Sequence, residues 1–195
     1  MKYLIIIIAF SFTFSCKSQV VSLETMAQCM QDNPPFPCPN MFTYVKDVNN
    51  TLNKYVGTWK GIYDGKIYEM NLLKKENVDV DGIVKEDRLI GRLRITTTGN
   101  LPLIIFDNFN EPDDTKTNFE GLGLTSNLQS YSMFFSGPVT SGCINYGKVF
   151  LMIKPANPNT LNIFFDGNYD TVMGECPNTF KTTIPEKQNI YLTKQ

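Results

Sequence analysis

The sequence predicts an all-β protein: an antiparallel up-and-down β-barrel of about eight strands behind one short helix. Three observations carry that expectation. Apolar and polar positions alternate with period two in several short runs. The cleanest is 88–96, where Leu89, Gly91, Leu93 and Ile95 share one face and Arg88, Ile90, Arg92 and Arg94 the other. Asp64-Gly65 sits between two such runs and supplies the positive backbone angles of a two-residue hairpin turn. The remaining runs follow at short intervals with turn residues between them, as consecutive antiparallel strands do. A sandwich fits the same pattern, but closure removes exposed strand edges, which favours the barrel.

Taken in order, residues 17–45 read as an irregular tether. Its run Asn33-Pro34-Pro35-Phe36-Pro37-Cys38-Pro39 resists helix and sheet, because proline lacks a backbone donor and fixes its own φ. Residues 47–56 read as one or two helical turns, with Asp47 as N-cap and Gly57 as terminator. Residues 57–63 and 66–74 form the hairpin about Asp64-Gly65, with Tyr68, Met70 and Leu72 on one face. The strand at 88–96 is expected to keep its arginine face wet. Gly99-Asn100 turns into an apolar strand at 101–106, and 107–121 reads as a polar loop. Strands follow within 124–135, strongest at Tyr131 to Phe135, and at 146–154. Asn157-Pro158-Asn159 turns into 160–166; 167–187 is irregular; 189–193 closes the sheet with Ile190 and Leu192 inward.

The first sixteen residues carry a different signal. Lys2 precedes the apolar run Tyr3 to Phe10, then small and hydroxyl residues lead to Cys16. The run is too short to span a bilayer as a helix. The pattern resembles a bacterial lipoprotein signal peptide. The resemblance implies cleavage before Cys16, acylation of that cysteine and attachment to a membrane, with several acyl chains holding firmly where one is marginal. An ordinary secretory leader is the alternative, and either one exports the chain. The expected organisation is a signal peptide at 1–15, a lipidated tether at 16–45 and a barrel domain at 46–195.

Composition narrows the chemistry. Hydrophobic residues at 42% and aromatics at 12% are enough for a real core. Eighteen Lys and Arg against nineteen Asp and Glu leave no basic excess, so no nucleic-acid partner is expected. Histidine is absent, which rules out Ser-His-Asp and Cys-His catalysis and histidine-ligated zinc. No cofactor, no metal and no catalytic residue is expected, although lysine or carboxylate chemistry stays open in principle.

Of five cysteines, four remain once Cys16 is set aside: Cys29, Cys38, Cys143 and Cys176. An even number in an exported chain reads as disulfides. Three pairings are open. Cys29 with Cys38, a short local loop, and Cys143 with Cys176, a clamp between later segments, are preferred over the other two. A four-cysteine metal site is the competing reading, and the spacings of nine and thirty-three residues without Cys-x-x-Cys count against it.

Other candidates are weaker. Glu111-Pro112-Asp113-Asp114 with Asp107 is the densest acidic cluster, but it lacks the ligand spacing of a calcium loop and reads as a solvated one. A carboxylate pair for glycoside hydrolysis needs a spatial separation that sequence does not give. Asp170-Thr171-Val172 resembles an O-glycosylation site of some Gram-negative envelopes. Tyr68, Met70, Tyr131, Met133 and Phe135, with Phe164 and Phe165, are the candidate lining of an apolar ligand cavity; a filled core is the favoured alternative, since side chains alone fill an eight-stranded interior.

Tyr55-Val56-Gly57-Thr58-Trp59-Lys60-Gly61 follows the short helix and opens the first strand. Its Gly57-x-Trp59 resembles the lipocalin signature and implies a tryptophan packed across the closed end of a lipocalin-like barrel. The chain as a whole resembles a family of short Gram-negative lipoproteins of unknown function. That resemblance lies in Ser15-Cys16-Lys17, Lys46 to Asn50, Asp87 to Gly91, Tyr146-Gly147-Lys148, Cys143 with Cys176-Pro177, and the ending Ile190 to Gln195. It implies no activity, and its tether differs, so the Cys29–Cys38 pairing rests on spacing. The expected protein is a non-enzymatic binding or interaction module anchored through Cys16. The partner expected for it is a small apolar ligand or another envelope protein. Lys17-Ser18-Gln19 carries no acidic run, which by resemblance places it on the periplasmic side of an outer membrane. A ligand carrier is the alternative function and a carboxylate hydrolase the remotest.

Overall fold

A computed structural model describes residues 20–195; the stretch read as a signal peptide, and Cys16, lie outside the described residues. Eight antiparallel strands close into a barrel. They are β3 (Gly57–Tyr63), β4 (Lys66–Asp79), β5 (Lys85–Thr97), β7 (Phe119–Leu124), β8 (Tyr131–Ser136), β9 (Tyr146–Ile153), β10 (Thr160–Gly167) and β11 (Asn189–Lys194). They neighbour one another in chain order, β11 returns to β3, and β7 meets β5 at Glu120–Ile90 and Phe119–Gly91 to close the ring. Three further strands lie off the ring: β1 (Val20–Ser22), β2 (Tyr44–Lys46) and β6 (Ile104–Asp107). One α-helix, α1 (Leu23–Cys29), and 3-10 turns at Thr51–Lys54 and Asp114–Lys116 complete the described elements.

The expected hairpin forms as read. Asp64 and Gly65 both have positive φ, and β3 pairs with β4 from Tyr63–Lys66 to Gly57–Leu72. Period two sends Tyr68, Met70 and Leu72 inward from β4, and Leu89, Leu93 and Ile95 inward from β5. Met133 and Phe135 of β8, Leu151 of β9, Phe165 of β10 and Leu192 of β11 meet them, all without exposed surface. Phe135 packs on Phe119, with ring centroids 4.7 Å apart, and edge-on to Phe165 at 5.9 Å.

Five expectations need correction. The segment 17–45 is not a bare tether. Val21, Leu23 and Ala27 are buried, and Ser22 caps α1 by accepting from the Thr25 amide, so β1 and α1 dock on the barrel while the proline run 34–39 stays irregular. The apolar run at 101–106 is not a barrel stave. It supplies β6, which pairs only with the end of β5 and leaves Leu101, Leu103 and Ile104 largely exposed. The missing stave is β7, read as loop because Gly121 and Gly123 interrupt its alternation. A Cβ on Gly121 would lie 2.3 Å from the Tyr131 hydroxyl, so that position excludes a side chain.

The outer face of β5 is not wet. Arg92 donates from Nε to the Glu111 carbonyl and from Nη2 to Asp114 at 2.8 Å; Arg88 pairs with Glu120 at 2.8 Å; Ile90 is buried between them. The loop 108–118 therefore roofs that face. Phe164, grouped with the interior aromatics, instead points outward beside Phe150.

Candidate functional site

The two ends of the barrel differ. One is sealed. Asp47 accepts from the amides of Thr51 (2.7 Å) and Leu52 (3.1 Å), holding the 3-10 turn, and Lys74 reaches the same carboxylate at 2.9 Å. Trp59 is fully buried beneath that turn, donates from Nε1 to the Tyr55 carbonyl at 2.7 Å and carries the Lys194 ammonium over its ring. The helix expected over 47–56 is reduced to this 3-10 turn and its N-cap is Asn50, not Asp47, which instead reaches over to amides four and five residues on.

The other end is a mouth with a cleft of about 740 Å³. The β3–β4 turn contributes Tyr63, Asp64 and Lys66; the loop before β9 contributes Gly142, Cys143 and Ile144; Gly167, ending β10, and the long segment 168–188 after it supply the rest. That segment has almost no regular structure, so its shape depends on staples. Cys143–Cys176 is a disulfide, tying it to the loop before β9. Asn145, itself buried, donates to Pro138 O and Thr183 Oγ1 and accepts from the Thr183 amide. Asp170 accepts from the Tyr146 hydroxyl at 2.7 Å, and Tyr63 donates to Gln188 at 3.2 Å.

The cleft is amphipathic. Tyr63, Tyr169 and Phe180 offer aromatic surface, while Lys66, Lys181, Glu186 and Asn168 offer charge and hydrogen bonds. Tyr169 is largely exposed; its hydroxyl donates to Glu186 at 3.1 Å, and Lys187 stands over its ring at 4.9 Å. The Lys187 ammonium is pushed up from its ordinary pKa by the Tyr169 hydroxyl and by nearby carboxylates. Such a surface suits contact with a polar, partly apolar partner.

The sequence candidates fall elsewhere. Tyr68, Met70, Tyr131, Met133 and Phe135 come together, but as packed interior with at most 1% exposure, and none lines the cleft. The Tyr131 hydroxyl accepts the Leu89 amide at 3.1 Å. Cys29–Cys38 is the second disulfide, fastening the end of α1 to the proline run. In the acidic cluster Asp114 faces Lys75 and Arg92, Asp113 faces Lys116, and Asp107 faces Arg94. Among the described residues no group of three or more potential ligands could hold a metal ion. Thr171 of the Asp170-Thr171-Val172 triplet is exposed in the mouth loop. The cleft itself escaped sequence reading, because its lining comes from three separated segments; Cys143 and Cys176 were the only trace of it.

Fold and site together define a closed eight-stranded antiparallel barrel with a packed interior, one sealed end and a stapled cleft at the other. The chain belongs to a family of unknown function, DUF6705, whose family model matches residues 1–195. No curated protein and no solved structure matches it.

Proposed function

We propose that the protein is an exported lipoprotein, anchored through acylated Cys16 on the periplasmic side of an outer membrane. Its barrel is a non-enzymatic module that binds through the mouth cleft and its loops. The observation that carries the binding half is the contrast between the two spaces. The barrel interior is occupied by its own aromatic and thioether side chains, whereas the 740 Å³ cleft is lined by separate loops held by a disulfide. An outer wall bearing ion pairs such as Lys60–Glu69 at 3.0 Å, around an apolar interior, is the reverse of a membrane-spanning barrel. Attachment is therefore assigned to Cys16, whose preceding residues have the lipoprotein pattern.

Two measurements test the reading. Cys16→Ser is expected to release a soluble protein or to leave an unprocessed precursor; normal processing with retention in the membrane defeats the anchor. A photo-crosslinking residue at Tyr169 is expected to capture a partner in intact envelopes, while one at Tyr191, on the outer wall, captures none. Equal capture from both positions defeats the assignment of the cleft.

A further inference from the structure

We infer that the sealed end of the barrel, at the β4–β5 tip, rests on the bilayer, with Val20, Met41, Val80 and Ile83 inserted among the lipids. This rests on the reading that Cys16 is acylated. The strand directions carry it. β1, β2 and the start of β5 are mutually parallel, with Val20 opposite Tyr44 and Tyr44 opposite Lys85. The residues that precede each strand therefore leave from the same end. For β2 these include Met41, and for β5 they are the turn 80–84. For β1 it is the chain leading back to Cys16, four residues before Val20.

Four residues extend at most about 14 Å, so an acyl group on Cys16 holds this end at the membrane. Apolar side chains are exposed here: Met41 and Ile83 keep three quarters of their surface, and Val20 and Val80 about half. Val20 and Met41 line one shared groove. The turn is built to present the others. Asp79 accepts the Gly82 amide at 2.6 Å, Asp81 accepts the amides of Ile83 and Val84 at 2.9 Å each, and Val80 N–H closes on the Val84 carbonyl. Those backbone bonds direct both carboxylates into the turn. With Lys85 beside them the tip carries a net charge of −1, so contact is expected through apolar insertion rather than attraction to anionic lipid.

A rival apolar patch exists at the mouth, on Leu101, Leu103, Ile104 and Ile105. Its strand β6 pairs at Arg94 to Thr96, about 30–36 Å along β5 from Lys85, beyond the reach of the anchor. Anchoring by the sealed end also leaves the cleft facing away from the membrane.

The test uses the full chain, purified from its envelope and reconstituted in vesicles of phosphatidylethanolamine and phosphatidylglycerol with brominated acyl chains. The variants are Ile83→Trp and Leu103→Trp, read against wild type, whose Trp59 is buried. Ile83→Trp emission is expected to shift to the blue and lose most of its added intensity to bromine, independently of salt, while Leu103→Trp emission is unaffected. Mass spectrometry of the same sample reads acylation. Cys16 found unmodified overturns anchor and orientation together. Acylated Cys16 with Ile83→Trp unquenched, or with Leu103→Trp quenched, overturns the orientation alone.

Discussion

Lys74 holds Asp47 at 2.9 Å, and the two differ in exposure: the Asp47 side chain has none, while Lys74 keeps 12% and has Glu76 at 3.5 Å as a second partner. Burial lowers the Lys74 pKa, and the hydrogen bond and charge of Asp47 more than reverse that, so the ammonium is favoured. The asymmetry fixes the cost of breaking the pair. Lys74→Met strands a buried carboxylate, and we expect a loss of about 3 kcal/mol. Asp47→Asn keeps one acceptor for the Thr51 and Leu52 amides, which bind different oxygens of Asp47, sets an NH2 group against the other and leaves Lys74 near water and Glu76, for a loss of about 2 kcal/mol. Urea unfolding of the two variants decides; the opposite order would show that the cap, not the ion pair, dominates at the sealed end.

A second polar tie joins β2 to the barrel. Asp87, buried on β5, accepts the Tyr44 hydroxyl at 2.5 Å and the amides of Asp47 and Asn77 at 3.0 Å. Burial and this hydrogen bond push the Tyr44 hydroxyl up from 10.0 to about 12. Because the folded value lies above the unfolded one, the stabilisation is complete below pH 10 and is lost as pH rises toward 12. Burial also raises Tyr68 to about 12, so Tyr44→Phe is expected to start less stable at pH 8 and to lose less over pH 10–12 than wild type. Parallel curves in denaturant across that window would refute the tie.

These contacts show which features sequence makes legible. Period-two alternation found seven of the eight staves, because it records directly which side chains point inward, as in Tyr68, Met70 and Leu72. It failed at Phe119–Leu124, where Gly121 removes an inward side chain to admit the Tyr131 hydroxyl and so deletes the signal. It also mistook β6 for a stave, since apolar content does not reveal whether a strand has neighbours on both sides. Arg88 and Arg92 looked like surface because their partners, Glu120 on β7 and Asp114 in the loop before it, lie far along the chain. The cleft was illegible for the same reason, being built wholly from tertiary proximity.

The loop over β5 yields an acid-side prediction. Hydrogen bonds from Lys75 and then Arg92 hold the Asp114 carboxyl below its ordinary 3.8. A lowered folded value means that the stabilisation is present above about pH 4 and fades as pH falls through the folded value. Asp114 is about one-third exposed, so screening limits the effect to about 1 kcal/mol or less. We expect Asp114→Asn to speed amide exchange across 108–118 at pH 7 and to leave the barrel strands protected; unchanged exchange in that loop would remove Asp114 from its role as latch.

The mouth disulfide closes a loop of 33 residues, for which the chain-entropy account gives about 3–4 kcal/mol. The paired Cys143→Ser and Cys176→Ser variant is expected to lose about that much stability and to make residues 168–188 protease-sensitive. Non-reducing peptide mapping of wild type is expected to join Cys143 to Cys176 and Cys29 to Cys38. Free thiols at Cys143 and Cys176 would dismantle the cleft described above.

The filled interior is itself open to test. Phe135 touches the rings of Phe106, Phe119 and Phe165 and has no exposed surface. Truncating such a residue removes its transfer free energy and leaves a hole that stiff barrel walls cannot collapse, so Phe135→Ala is expected to cost about 3–5 kcal/mol. The hole would be apolar, since its neighbours are hydrocarbon, and an apolar hole of that size stays dry and admits a small aromatic molecule. Benzene should therefore raise the melting temperature of Phe135→Ala and leave wild type unmoved. In a carrier with a cavity beside Phe135, wild type would bind apolar probes already and the truncation would cost little, because the space it adds would merge with space that was there. Measuring both proteins with and without benzene separates a solid barrel, which must work through its mouth and surface, from a hollow one.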